Sequence, residues 1–206
     1  MIAIIDYGMG NLKSVRNALN YLGLENMITC KEEDLRNADA LILPGVGAFP
    51  DAVDTIEKLN LDSIIKSEVE NGKYLLGICL GMQLLFENGY EGLQKKGLGL
   101  IKGNIVKMEE DRRNNIKIPH IGWNNLVYNK KDALFKGIDE GKYVYYVHSF
   151  FAQDYDEDDL IAYSEYGKNK IPGVVRHKNI MGAQFHPEKS GNVGLSILKN
   201  FGEMIK

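Results

Sequence analysis

The first half of the chain alternates short apolar runs with segments of helical periodicity. Ile2–Ile5 precedes a segment whose apolar residues recur at helical spacing up to Gly23, and helical segments also follow Ala40–Leu43 and Tyr74–Ile78. Strands that alternate with helices build a parallel sheet covered by helices on both faces. The sequence therefore predicts an α/β fold with a mostly parallel central sheet flanked by helices.

The second half has a different pattern. From Leu98 to Gln184 it consists mostly of short β-type segments joined by turns, and residues 194–205 return to an apolar helical stripe. We therefore expect additional antiparallel strands in this half. The length of 206 residues corresponds to one domain, and no repeat or boundary interrupts it, so a single domain over residues 1–206 is predicted.

Composition and charge exclude several classes of protein. The formal net charge is −3, with no basic surplus to bind nucleic acid. No apolar run approaches the ~18 residues that a membrane span needs. The apolar start is interrupted by Asp6 and lacks the features of a signal peptide. We expect a cytoplasmic protein with reduced thiols and no membrane partner.

One of the two cysteines lies in a glycine-flanked turn. Gly77-Ile-Cys-Leu-Gly81 separates a predicted strand from a predicted helix over residues 80–87. It matches the small-x-nucleophile-x-small turn that hydrolases use, in which small flanking residues relieve crowding. The alternative is a small buried cysteine in a glycine-rich turn, but the strand and the helix favour Cys79 as a nucleophile. Cys30, at the end of a short strand, is expected to serve packing.

A cysteine nucleophile needs a base and a group that orients the base. His186 and Glu188 follow a predicted strand, and Pro187 ends that strand. The alternative is a surface His-Pro turn with a solvated glutamate. The other histidines rank lower, as core or exposed-turn residues: His120, His148 and His177. No Cys/His pair has zinc-ligand spacing, so no metal is predicted.

Three further segments invite interpretation. Asp6–Asn11 is similar to a dinucleotide fingerprint, but Lys13 replaces its third glycine. Pro44–Gly47 follows a strand and offers a second N–H to an oxyanion hole, with a plain strand-to-helix turn as the alternative. The acidic run 154–159 has carboxylates at calcium-loop spacing, but Asp159 occupies the glycine position, so a solvated loop is expected.

Cys79 in such a turn, with His186 and Glu188 about a hundred residues later, resembles the class I (triad) glutamine amidotransferases. The resemblance covers the whole chain. In their individual residues these motifs are similar to those of the glutaminase subunits of imidazole glycerol phosphate synthases. Five segments carry this similarity: 6–12, 44–49, 77–86, 120–124 and 184–190.

The resemblance implies that the chain hydrolyses L-glutamine without a cofactor. Cys79 would attack the carboxamide carbon, His186 would serve as base and then as acid, and Glu188 would orient His186. The oxyanion donors would be the N–H of Leu80 and one from the segment Val46–Gly47. Residues placed at the substrate by resemblance are Gly47, Gln83, Glu91 and Ser149.

The resemblance also implies a partner. Because about two hundred residues suffice only for the glutaminase, the ammonia acceptor is expected on another chain, a (β/α)8-barrel cyclase forming a heterodimer with this one. The residues implied to face it are Asn11, Trp123 and Lys189. The alternative for Trp123 is a core aromatic. A glutaminase serving a pyridoxal phosphate or anthranilate synthase, and an inactive regulatory subunit, remain open as alternatives.

Overall fold

The computed structural model describes residues 1–110 and 116–205. Residues 111–115 and 206 of the predicted 1–206 domain lie outside the described residues. The helices are α1 Leu12–Tyr21, α2 Glu32–Asn37, α3 Phe49–Lys58, α4 Leu61–Glu70, α5 Leu80–Gln83 and α6 Gly191–Met204. None of the described helices is long and apolar enough to cross a membrane.

Among the described residues, the main sheet has eight strands in the order β2-β1-β3-β4-β14-β13-β12-β9. Their bounds are β1 Ile2–Ile5, β2 Asn26–Thr29, β3 Ala40–Gly45, β4 Tyr74–Cys79, β9 Val127–Tyr128, β12 Leu160–Tyr166, β13 Asn169–His177 and β14 Ile180–Ala183. The strands from β2 to β14 in this order run parallel, and β13, β12 and β9 are antiparallel. The predicted combination of a parallel sheet with antiparallel additions is confirmed.

Helices cover both faces of the parallel part. Alternate residues of β1 enter two different apolar clusters, because successive side chains of a strand point to opposite faces. Ile2 and Ile4 pack in the cluster that contains residues of α1 and α6. Ala3 and Ile5 pack in the cluster that contains residues of α2, α3 and α4. The apolar first strand is thereby buried on both sides.

Two smaller sheets come from the second half and from the segment after α5. One pairs β8 His120–Asn125 with β10 Tyr143–His148, antiparallel. The other has the order β11-β7-β5-β6, formed by β5 Phe86–Gly89, β6 Lys95–Lys96, β7 Ile101–Lys107 and β11 Phe150–Gln153. We call the β8–β10 pair the ribbon.

Two local expectations were wrong. The helix expected over 80–87 ends at Gln83, and β5 begins at Phe86. Leu84, Leu85 and Phe86 are all buried, and three consecutive residues cannot share one face of a helix. Cys30, expected to pack in the interior, is exposed at the end of β2.

Candidate active site

Cys79 is the last residue of β4 and directly precedes α5. Its backbone has φ 54° and ψ −111°, which a residue with a side chain rarely adopts. Such a conformation costs of order 1–3 kcal/mol and persists only where the surrounding packing enforces it. The turn from β4 into α5 is therefore a strained elbow that carries a thiol.

The glycines on either side let α5 lie close against the sheet. A Cβ atom added at Gly81 would lie 1.7 Å from the carbonyl oxygen of Leu43 on β3. One added at Gly77 would lie 2.6 Å from the carbonyl oxygen of Gly81. Neither position has room for a side chain, so the tight turn at Cys79 depends on both glycines.

His186 and Glu188 lie next to each other just after β14. The Nδ1 atom of His186 is 2.9 Å from the Oε1 atom of Glu188, and the two side chains are 2% and 1% exposed. The backbone of His186 is fixed as well, since its N–H donates to the Tyr145 carbonyl at 3.0 Å and the Ser190 hydroxyl donates to its carbonyl at 2.7 Å. The imidazole is thus held in one orientation.

The electrostatic surroundings favour a charged imidazole. Burial lowers the pKa of His186, whereas the interactions with Cys79 and then with Glu188 raise it, and the net result is about 9. The Nε2 atom of His186 is buried and has no hydrogen-bond partner among the described residues. This nitrogen is therefore available to exchange a proton with the thiol or with a ligand on it.

Within the described part of the chain, the sulfur of Cys79 has two polar neighbours besides His186. It lies 3.9 Å from the carbonyl oxygen of Val147 and 3.9 Å from the Nε2 atom of Gln184. The thiol S–H donates weakly to the carbonyl, and the Gln184 amide donates to the sulfur. The position of the sulfur is thus defined from two sides.

An open cavity of about 400 Å³ lies over the thiol. It is lined by Val46, Gly47, Cys79, Leu80, Gln83, Glu91, Pro119, Val147, His148, Ser149, Phe150 and His186. The structure thus brings together eight of the nine residues predicted for catalysis, substrate binding and the oxyanion hole. The ninth, Glu188, contacts His186 from behind the cavity.

Two of the predicted substrate-binding side chains are held by the backbone. Glu91 accepts a hydrogen bond of 2.7 Å from the N–H of Phe49, the first residue of α3. The Nε2 atom of Gln83 donates to the carbonyl oxygen of Phe150 at 3.0 Å. A carboxylate and an amide therefore line the cavity in defined orientations, as a site for an amino acid requires.

The predicted oxyanion donors flank the thiol. Gly45 pairs with Cys79 in the sheet register, so Val46 and Gly47 follow immediately beyond Cys79. Gly47 has φ +107°, a conformation that favours glycine, and Val46 is 42% exposed. On the other side, Leu80 is the first residue of α5, where a backbone N–H has no acceptor within the helix.

The three predicted partner-facing residues lie on three elements near His186. Lys189 is exposed in the 3-10 turn Pro187–Lys189, and Asn11 precedes α1, which contacts that turn. Trp123 is 55% exposed on the ribbon, opposite Tyr145 in register. The core-aromatic alternative for Trp123 is therefore wrong.

Several residues of the site were not predicted from the sequence. Pro119, Val147, His148 and Phe150 line the cavity, and Gln184 contacts the sulfur. Gln184 lies in the segment 184–190 that carries the family similarity, but no role followed for it from the sequence. The other four reach the site through strand pairings that the sequence does not display.

A buried tyrosine also lies beside the elbow. A Cβ atom added at Gly45 would lie 2.6 Å from the hydroxyl oxygen of Tyr7, which has no hydrogen-bond partner among the described residues. Burial, and then the charge of Cys79, raise the pKa of this hydroxyl well above its usual range. Tyr7 thus stays protonated next to Cys79.

No metal cluster is apparent: within residues 1–110 and 116–205, no three His, Cys, Asp or Glu side chains are arranged to hold an ion. Carboxylates of the acidic run have structural contacts instead. Asp156 accepts from the N–H of Asp158 at 3.0 Å, and Asp159 is buried beside the Nδ1 atom of His177, also at 3.0 Å.

Comparison with known proteins agrees with this geometry. The family model of the Glutamine amidotransferase class-I family matches residues 3–204. The imidazole glycerol phosphate synthase subunit HisH of Caldanaerobacter subterraneus subsp. tengcongensis is 52% identical, covering 100% of this chain and 99% of that protein. The protein of the same name from Bacillus subtilis strain 168 is 48% identical, over 99% and 96% of the two chains.

Solved structures share the fold at low sequence identity. A crystal structure described as a glutamine amidotransferase has a TM-score of 0.76 and 19% identity, covering 100% of this chain and 99% of that one. The structure of PurLQS from Thermotoga maritima has a TM-score of 0.75 and 18% identity, covering 100% and 98%. These similarities support the architecture of the three sheets.

Proposed function

The chain belongs to the class-I glutamine amidotransferase family, and from this premise we propose that it is the glutaminase subunit of an imidazole glycerol phosphate synthase. It hydrolyses L-glutamine to glutamate and ammonia for a cyclase partner, which makes imidazole glycerol phosphate and aminoimidazole carboxamide ribonucleotide in histidine biosynthesis. Full-length relatives of that name at about 50% identity support the assignment over other synthases. A cytoplasmic location is part of the proposal.

A single observation carries the chemistry. The thiol of Cys79, on a strained backbone at the floor of the cavity, faces the buried imidazole of His186. The Nδ1 atom of that imidazole is held 2.9 Å from the Glu188 carboxylate. The arrangement supports Cys79, His186 and Glu188 as nucleophile, base and orienting group. It also disfavours an inactive regulatory subunit, since all three groups are present and oriented.

The first step forms a covalent intermediate. The Cys79 thiol gives its proton to the Nε2 atom of His186, and the sulfur attacks the carboxamide carbon of glutamine while the electron pair of the C=O bond moves to the oxygen. His186, protonated at Nε2, gives its proton to the departing nitrogen, so ammonia leaves and a glutamyl thioester remains on Cys79. Glu188 stabilises the imidazolium and fixes its tautomer through Nδ1.

The second step regenerates the enzyme. Water attacks the thioester carbon, His186 takes its proton, and glutamate leaves as the C–S bond breaks. In both steps the negative oxygen is stabilised by the N–H of Leu80 and by a donor from Val46–Gly47. Loss of one such donor typically costs ~3–4 kcal/mol of transition-state stabilisation.

Substrate binding uses the side chains that line the cavity. Glu91 provides a carboxylate for the ammonium group of glutamine, Gln83 provides an amide, and the backbone around Gly47 and Ser149 completes the pocket. The net charge of the ligand is zero, so one carboxylate balanced by amide and backbone groups suits it. No cofactor takes part.

The cyclase docks on the side where Trp123, Asn11 and Lys189 are found. The exposed face of the ribbon there combines large apolar groups with a neighbouring lysine: Ile121, Trp123, Tyr143 and Lys189. An aromatic and apolar centre with charged surroundings is typical of a protein interface. Ammonia released at Cys79 passes to the cyclase within this heterodimer.

The Cys79→Ala variant tests the assignment in the assembled complex. We expect it to abolish glutamine-dependent turnover and to leave ammonia-dependent turnover within about twofold of wild type. Equal loss of both activities would contradict the nucleophile assignment. The chain could also hydrolyse glutamine although no cyclase co-purifies with it and no cyclase is stimulated by it. That result would point to another synthase.

A further inference from the structure

Two histidines outside the triad form a buried pair next to the cavity. His120 on β8 and His148 on β10 are register partners in the ribbon, and they are 2% and 6% exposed. The Nδ1 atom of His120 is 3.0 Å from the Nε2 atom of His148. Two buried histidines in direct contact are an expensive arrangement unless each is hydrogen-bonded, and the reaction steps above use neither.

The acceptors around the pair determine where the protons lie. The Nδ1 atom of His148 is 2.9 Å from the carbonyl oxygen of Phe150, which only accepts, so Nδ1 carries the hydrogen. Burial lowers the pKa of His148 to about 3 and that of His120 to about 4, so both rings are neutral near pH 7. The Nε2 atom of His148 must then accept from Nδ1–H of His120.

The series of hydrogen bonds extends beyond the His120–His148 pair in both directions. The second ring nitrogen of His120, Nε2, lies 3.5 Å from the Nδ2 atom of Asn124. The same Asn124 nitrogen also donates to the Glu165 carbonyl at 2.9 Å. The His120 ring is sandwiched by two tyrosines, with centroids 4.7 Å from Tyr146 and 4.0 Å from Tyr166. His120 is therefore immobilised, and its single donor is aimed at His148.

At the other end the series of hydrogen bonds reaches the substrate pocket. The Phe150 carbonyl accepts from Nδ1–H of His148 and also from the Nε2 atom of Gln83, at 2.9 and 3.0 Å. The Nε2 atom of Gln83 also lies 3.1 Å from the Oε1 atom of Gln184, whose own amide nitrogen faces the Cys79 sulfur at 3.9 Å. The two lone pairs of one carbonyl thus tie His148 to the amide groups of the pocket.

We propose that His148 is a positioning residue for glutamine: supported by His120, it fixes the Phe150 carbonyl and through it the side chain of Gln83. Both ring nitrogens of His148 are already used, one by His120 and one by Phe150, so it has none to offer a ligand although it lines the cavity. Its effect reaches the substrate through Gln83. This inference rests on the proposed function only in taking glutamine as the occupant.

Two variants separate the two hydrogen bonds of His148. In His148→Asn the amide nitrogen occupies the position of Nδ1 and keeps a donor for the Phe150 carbonyl. In His148→Gln the amide reaches the position of Nε2 and keeps a contact with His120, but nothing donates to Phe150. The readout is the steady-state hydrolysis of glutamine in the complex with the cyclase.

We expect His148→Gln to raise the KM for glutamine about tenfold, because a buried acceptor loses a donor, with kcat changed less than threefold. His148→Asn should stay within about threefold of wild type in both constants. Equal KM increases in both variants would mean a merely structural role, and a lower kcat at unchanged KM would place His148 in the chemistry. Either result would overturn the proposal.

A third variant keeps the test decisive if the His148 variants do not fold. His120→Phe retains the stacking between Tyr146 and Tyr166 but donates nothing to His148, so we expect the KM for glutamine to rise in the same direction. An unchanged KM in His120→Phe and in every folded His148 variant would refute the proposal. If the wild-type complex itself does not hydrolyse glutamine, the proposed function fails, which is a distinguishable result.

Discussion

The Nδ1 atom of His186 lies 2.9 Å from the Oε1 atom of Glu188, and both side chains are nearly inaccessible to solvent. The two residues are separated by Pro187 alone, at the start of a 3-10 turn. A buried charge is tolerated only when it is paired, and this carboxylate is paired with the imidazole on one oxygen. The pair therefore links the catalytic proposal to the stability of the fold.

Replacing Glu188 by Gln tests the catalytic side of this pair. The amide keeps the shape but not the charge that stabilises the imidazolium, so we expect kcat for glutamine to fall by roughly 100-fold or more. The KM should change little, since Glu188 does not line the cavity. Ammonia-dependent turnover serves as the internal control, and Glu70→Gln, an exposed change at the end of α4, is the matched variant. A kcat near wild type would contradict the orienting role.

The same substitution predicts a pH-dependent stability difference. The pKa of His186 is raised to about 9 from 6.5, by Cys79 and then by Glu188 against the effect of burial. A raised pKa contributes stability that is complete below pH 6.5 and is lost as the pH rises through 9.

We therefore expect wild type to exceed Glu188→Gln in free energy of unfolding most strongly near pH 6. The difference should shrink by about 1 kcal/mol by pH 9.5, since each pKa unit corresponds to ~1.4 kcal/mol. Urea unfolding of both proteins at several pH values measures it. A difference that is constant, or that grows with pH, would mean that Glu188 does not stabilise the charged imidazole.

The elbow gives a prediction about packing. In Gly81→Ala the new methyl group would lie 1.7 Å from the Leu43 carbonyl, so α5 or β3 must move, and we expect a loss of about 3 kcal/mol or more in unfolding free energy. Gly10→Ala is the matched control, because its Cβ atom would meet Pro44 at an ordinary 3.4 Å and should cost within ~1 kcal/mol. Similar stabilities of the two variants would show that the elbow tolerates a side chain.

How much of the site could be predicted depends on how far apart its parts lie in the sequence. The elbow around Cys79 and the pair His186–Glu188 are short motifs. A strand and a glycine-flanked turn mark Cys79 in the sequence, and a strand ended by Pro187 marks His186 and Glu188. The contact between His120 and His148 is different. It spans 28 residues and exists only because β8 pairs with β10 in one register, and neither strand has a turn motif that predicts its partner.

The fold shows the same limit. The parallel strands could be predicted because each apolar run is buried on both faces, as β1 is. The premature end of α5 could not be predicted from periodicity, since Leu84 and Leu85 fit a helix as well as the buried turn that they form. Tertiary packing decides where α5 ends: β5 lies between β7 and β6 in the small sheet, and a Cβ atom added at Gly89 would lie 2.4 Å from the ring of Phe49 on α3.

The exposed face of the ribbon gives the last prediction. Trp123 is 55% exposed and contacts Tyr145 edge-on, with ring centroids 6.0 Å apart, so Trp123→Ala should leave the thermal midpoint unchanged. As a central aromatic of the cyclase interface it should contribute ~2 kcal/mol, so we expect a roughly 30-fold weaker affinity for the cyclase by calorimetry. Leu59→Ala is the matched control: Leu59 is 44% exposed directly after α3 and is not part of the ribbon. Wild-type affinity for the Trp123 variant, or an equal loss in the control, would place the cyclase elsewhere.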